Sequence, residues 1–124
     1  MENNYNVKIY ETSREFDARE RIAIKDLTNS QKFDTIIGVD DVLTITPTDW
    51  AVLEIHNEKA EKKDYLVYVI MADNGVKYYT SSAAFWNSFM GIFDEMQGDS
   101  FSLDVYKRES KNFKGKHFIT CSIH

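Results

Sequence analysis

YLVYVIMADNGVKYYTSSAAFWNSFMGIFDEM, residues 65 to 96, holds three successive elements whose kinds follow from side-chain spacing. Residues 65–72 are apolar at both odd and even positions, the pattern of a strand covered on both faces inside a sheet. Asn74-Gly75 follows, a strong hairpin signal because both residues accept positive φ. VKYYTS (76–81) then returns as the partner strand. A two-residue turn sets Ile70 opposite Tyr79, Ala72 opposite Lys77 and Tyr68 opposite Ser81. Tyr68, Lys77 and Tyr79 would then share a face, and the lysine's need for water makes that face the exposed one. Ser81 or Ser82 can cap a helix over 83–96. Phe85, Phe89, Ile92 and Met96 form one stripe on it, widened by Trp86, Met90 and Phe93, which is a core face. Gly98 stands where a left-handed residue ends a helix.

Working outward, VLTIT (42–46) reads as a strand that Pro47 bends and WAVLEIHN (50–57) continues. In the continuation Ala51, Leu53 and Ile55 share one face, and Trp50, Glu54 and His56 the other. EKAEKKD (58–64) is a charged loop. Downstream, FSLDVYKR (101–108) alternates, with Phe101, Leu103 and Val105 inward and Ser102, Asp104 and Tyr106 outward. A turn at about Asn112–Gly115 leads into KHFITCSI (116–123), where His117, Ile119, Cys121 and Ile123 are expected inward. Near the N-terminus, Tyr5, Val7 and Ile9 alternate as a first strand. Thr12-Ser13-Arg14-Glu15 matches a capping box and predicts a helix over about Ser13–Leu27.

The chain has 124 residues, enough for one domain with a substantial core. Its 43% hydrophobic and 28% charged fractions are those of a globular protein rather than a disordered one. No apolar run approaches the ~18 residues of a membrane helix, and MENNYNVK lacks a signal-peptide pattern. The single cysteine, Cys121, excludes an internal disulfide and a multi-cysteine zinc site. A cytoplasmic protein is expected. There is no Gly-rich phosphate loop, HExxH, CxxC or GxSxG, so neither an enzyme nor a cofactor or metal is expected. Glu54 and His56 share a strand face but lack a visible third partner, and Asp40-Asp41 reads as a turn.

The order strand–strand–strand–helix–strand–strand from residue 42 onward is that of the OB-fold, a five-stranded Greek-key barrel with its helix between strands three and four. The fold expected is therefore mainly β with helices. An OB-like barrel would occupy 42–124, preceded by an N-terminal strand-helix extension over 1–41.

Charge is distributed unevenly along this order. KRESKNFKGKHF (107–118) carries Lys107, Arg108, Lys111, Lys114 and Lys116 against Glu109, a sum of +4 in a chain of net −5, which leaves −9 elsewhere. In an OB-fold, nucleic acid lies across strands two and three, between the loops joining strands one–two and four–five. The first of those loops here holds Lys59, Lys62 and Lys63; the second is the basic hairpin. Cations that follow a phosphate backbone, beside aromatics that take base faces, are what a single strand requires. Tyr68, Lys77 and Tyr79 would be the platform, with Trp50, Tyr106 and Phe113 as further aromatic contacts.

MENNYNVK, the hairpin IMADNGVKYYTS leading directly into a helix, and the ending FSLDVYKRESKNFKGKHFITCSI together resemble the small single-stranded DNA-binding proteins of tailed phages that replicate by protein priming. The resemblance covers the C-terminal half and the first few residues; about Asp17–Thr46 does not match. It implies a non-enzymatic protein of the host cytoplasm that protects displaced strands without sequence preference. It also implies that Tyr79 and the aromatic and basic positions of the final hairpin contact DNA. Self-association along the strand and contacts with replication proteins are further partners it suggests. The alternative is a small acidic interaction protein that imitates nucleic acid, motivated by the −9 balance outside the hairpin.

Overall fold

The 65–72 segment is apolar on both faces because it runs through the middle of a sheet: Val67, Tyr68, Val69 and Ile70 are all buried. The computed structural model describes residues 5–124. Its elements are β1 (Tyr5–Thr12), α1 (Ala18–Lys25), β2 (Gln31–Lys32), α2 (Phe33–Ile36), β3 (Val42–Ile45), β4 (Pro47–Asn57), β5 (Asp64–Ala72), β6 (Lys77–Thr80), α3 (Ala83–Met96), β7 (Leu103–Glu109) and β8 (His117–Ile123). A five-stranded sheet has the order β1-β4-β5-β6-β2, and a three-stranded sheet the order β3-β7-β8. The stretch 42–57 passes from one sheet to the other at Pro47, which has no N–H for a ladder and so suits the break.

Two cores result. Trp50, Val52, Tyr68, Ile70 and Tyr78 on one face of the large sheet pack against Phe85, Trp86 and Phe89 of α3 and Leu103, Val105, Ile119 and Cys121 of the small sheet. On the opposite face Ala51, Leu53, Ile55, Val67 and Val69 pack against Phe16 and Ile24. The sheets do not close into a barrel. Among the described residues β6 and β8 share no ladder; β2 pairs parallel to the outer edge of β6 instead, through Gln31↔Tyr78 and Lys32↔Tyr79. Behind it Phe33 is fully buried and lies flat on Tyr78. Segment 31–37 thus takes the edge that closure of the expected barrel would use. Among the described residues the architecture is a mainly β fold of two open sheets with three α-helices.

The hairpin register differs from expectation by one residue. Tyr68 lies opposite Thr80, Val69 opposite Tyr79, Ile70 opposite Tyr78 and Met71 opposite Lys77. The Ala72 amide donates to Val76 O and the Gly75 amide to Ala72 O, both at 3.1 Å, with Gly75 at φ +83°. This is a three-residue loop ended by a left-handed glycine, not a two-residue turn. An odd shift moves every returning side chain to the other face. Tyr68 therefore parts company with Lys77 and Tyr79.

The first helix is shorter than expected and starts later. Thr12 is still in β1 opposite Ala51, and the Ser13 amide donates to Trp50 O, so Thr12 belongs to the sheet rather than to a cap. Asp17 forms the capping box instead: its carboxylate accepts from the Glu20 amide at 2.8 Å, and Glu20 accepts from the Asp17 amide at 2.9 Å. In β8, Ile119 and Cys121 point inward as expected. His117 and Ile123 are exposed, because the two ends of that strand run past the core.

Candidate nucleic-acid interface

Two of the aromatics expected to contact DNA, Tyr68 of the platform and Trp50, are inside the protein. The Tyr68 ring stacks on Trp86 with centroids 4.9 Å apart, and Trp50 meets Trp86 edge-on at 5.5 Å. Both belong to the core under α3, on the face opposite Lys77 and Tyr79, and neither can receive a base. Lys77 and Tyr79 lie on the outer face with Val69 and Met71. The Lys77 ammonium donates to the Ala23 carbonyl in the last turn of α1, an engagement a helix C-terminus favours.

Tyr79 has two aromatic neighbours that the sequence reading left out. Ile55 lies opposite Tyr65 across β4 and β5, Tyr5 starts β1 opposite Asn57, and Lys32 lies opposite Tyr79. A cleft of ≈360 Å³ opens here, with Ile55 and Val67 below and Tyr5, Tyr65, Tyr79 and Lys32 among its walls. Thr28 and Ser81 add hydroxyls. Partial burial, reinforced by the Tyr65 and Tyr79 phenols, raises the Tyr5 phenol above its ordinary pKa, so it stays protonated as a donor. Alternation did signal Tyr5, which shares a face with Val7 and Ile9, and Tyr65, two positions before Val67. Lys32 came from a segment without strong periodicity.

The basic elements project from this same end of the large sheet. Loop 58–63 joins the end of β4 to the start of β5. Beside it His56 is held between two carboxylates, Nδ1 to Asp64 at 2.7 Å and Nε2 to Glu58 at 2.6 Å. These bonds, Asp64 first and Glu58 second, raise the His56 pKa. Lys63 is engaged with Glu58 at 3.2 Å, whereas Lys59 and Lys62 make no ion pair among the described residues. At the root of the β7–β8 hairpin, Lys107 Nζ donates to the Asp34 carbonyl at 2.5 Å, and the Asp34 carboxylate accepts from Thr80 Oγ1 at 3.0 Å. Thr80 ends β6, so the hairpin leaves from the end where loop 58–63 lies.

Lys107 thus anchors the hairpin. Arg108 covers the Tyr106 ring at 4.8 Å and lies 3.8 Å from Asp40, while the Tyr106 hydroxyl bonds Ser122 on the outer face of the small sheet. Lys111, Lys114 and Lys116 are exposed. Phe113 is 66% exposed, in a turn closed by the Lys116 amide donating to Phe113 O at 3.0 Å. Of the expected site residues, Tyr79 lines the cleft; loop 58–63 and the β7–β8 hairpin leave from the same end of the large sheet, but none of their cations lines it. Trp50 and Tyr68 are excluded.

Among the described residues, no group of three or more His, Cys, Asp or Glu side chains could hold a metal ion, and no helix is long and apolar enough to cross a membrane. Compared with known proteins, the chain matches no family model, no curated protein and no solved structure.

Proposed function

We propose that this protein binds single-stranded DNA without sequence preference, as a non-catalytic cytoplasmic protein that protects displaced strands during phage-type replication. The observation that carries the reading is the cleft in which Tyr5, Tyr65 and Tyr79 meet Lys32, at the end of the sheet where the lysine loop and the basic hairpin project. Unpaired bases expose two flat faces, and a tyrosine gives each a stacking surface worth about 1–3 kcal/mol. Duplex DNA keeps those faces inside its own stack. Phosphates would follow Lys32, Lys59, Lys62 and Lys116, and the phenol and hydroxyl donors of the cleft suit sugar and phosphate oxygens.

The strand order supports this reading as an opened variant of the OB arrangement. One bent stretch, 42–57, serves both sheets, and α3 lies between the third and fourth strands of that scheme. The outer face of its first three strands is the face that carries the tyrosine cleft.

Fluorescence anisotropy of labelled oligo(dT) titrated with the protein tests the proposal. Binding should saturate at low salt and weaken as salt rises, with log affinity falling by about 0.7 per phosphate neutralised for each unit of log salt. An oligonucleotide whose anisotropy stays flat at low salt would sink it and leave the acidic interaction protein as the better reading.

A further inference from the structure

Phe113 has no task in the tyrosine cleft. It stands 66% exposed at a hairpin tip, between exposed Lys111 and Lys114. A large aromatic held in water is the kind of side chain that anchors interfaces. The opposite end of β7 offers a receptor for it. A cleft of ≈330 Å³ is lined there by half-buried Phe93, Met96 and Phe101, by Pro47, and by exposed Asp73 and Asp99. Its position follows from Ile45 pairing with Leu103, the first residue of β7, and from the Asp73 amide donating to Thr46 O at 2.9 Å. The hairpin tip continues from the last residue of β7, roughly 20 Å of strand away.

The charges are complementary. Asp73 and Asp99 line the cleft and no Lys, Arg or His does, whereas residues 107–118 carry a sum of +4. We propose that the occupant of this cleft is a second copy of the chain, with Phe113 of one protomer against the edge-on Phe93–Phe101 pair of the next and Lys111 and Lys114 against Asp73 and Asp99. Because the two surfaces differ and lie at opposite ends, the contact is head-to-tail. Repeated in one sense, such a contact builds a row, open unless its rotation closes it into a ring. Such a row would bring tyrosine clefts of successive protomers along one strand, yet the contact itself requires no DNA.

Sedimentation of the full chain without DNA tests this, over rising protein concentration at about 50 and about 500 mM sodium chloride, between which screening lengths fall severalfold. The average mass should climb above the 14.5 kDa of one chain without a dimer plateau, and less so at high salt. Phe113→Ala should remain monomeric, and so should Asp73→Lys combined with Asp99→Lys. Mixing these two variants restores one intact tip and one intact cleft, so the mixture should form a 1:1 dimer and nothing larger. Wild-type protein that stays at the mass of one chain overturns the proposal. So does association that both variants retain, or a mixture that stays monomeric. Short oligo(dT) filling one protomer should bind Phe101→Ala, a change in the receiving cleft and outside the DNA site, as it binds wild type, so failure here is separable from failure of the DNA reading.

Discussion

Phe33 lies on Tyr78 with ring centroids 5.1 Å apart and planes 2° from parallel. That stack joins the segment after β2 to the strand whose edge β2 occupies, and Phe85 of α3 approaches the same ring at 5.4 Å. Phe33 is fully buried where two sheets would otherwise meet edge to edge. Phe33→Ala should therefore cost about 3–5 kcal/mol, the range for truncating a buried phenylalanine with partial collapse of the cavity. Urea unfolding of wild type and variant checks it. A loss below ~1 kcal/mol would mean that segment 31–37 covers the edge without supporting it.

Tyr65→Ala and Tyr79→Ala should each weaken oligo(dT) binding by about 1–3 kcal/mol if their rings take base faces. Phe substitutions should keep most of the affinity, since stacking needs the ring rather than the hydroxyl. The buried pair Trp50 and Trp86 gives an internal control. Their emission should be nearly unchanged by saturating oligo(dT), while anisotropy of the labelled strand reports binding. Strong tryptophan quenching would place DNA near α3 and argue against the outer face.

Legibility followed how local the deciding physics was. α3 was readable because its stripe spans four turns, and Ser82 caps it by accepting from the Phe85 amide. β5, β7 and β8 were readable from apolar alternation or continuity. The hairpin register was not, because Asn74-Gly75 is compatible with both a two- and a three-residue loop. That single residue decided the fate of Tyr68 and Lys77. Barrel closure was unreadable for a different reason. Phe33 and Ile37 sit among polar neighbours without a clear period, and only tertiary packing reveals that they fill the gap. The site was half legible: Tyr79 and the cations came from sequence, whereas Tyr5 and Lys32 needed the pairing of β1 and β2 to bring them beside it.

The start of α1 falls at Asp17, not at the Thr12 cap that the sequence suggests. Asp17→Ala should destabilise the protein by about 0.5–2 kcal/mol, since it removes the acceptor for the Glu20 amide. Thr12→Ala removes no cap, because Thr12 is in the β1 ladder opposite Ala51. Its effect should stay within the ~1 kcal/mol span of strand propensity and below that of Asp17→Ala. Thermal melts of both variants suffice, and a reversal of their order would return the helix start to Ser13.

His56 links the 58–63 loop to pH. Hydrogen bonds to Asp64 and then Glu58 favour the imidazolium, so the folded pKa lies above the unfolded value of about 6.5. The stabilisation is then fully present below the unfolded pKa and lost as pH rises through the folded one. The stability difference between wild type and His56→Gln should accordingly shrink as pH rises from about 6.5, the unfolded value, through the raised folded one. Urea midpoints across that range measure it, and an NMR titration of the His56 ring protons gives the folded pKa directly. A ring that titrates at or below the unperturbed value would mean that the two carboxylates do not hold the imidazolium in solution. The loop beside the tyrosine cleft would then be free of this pH linkage.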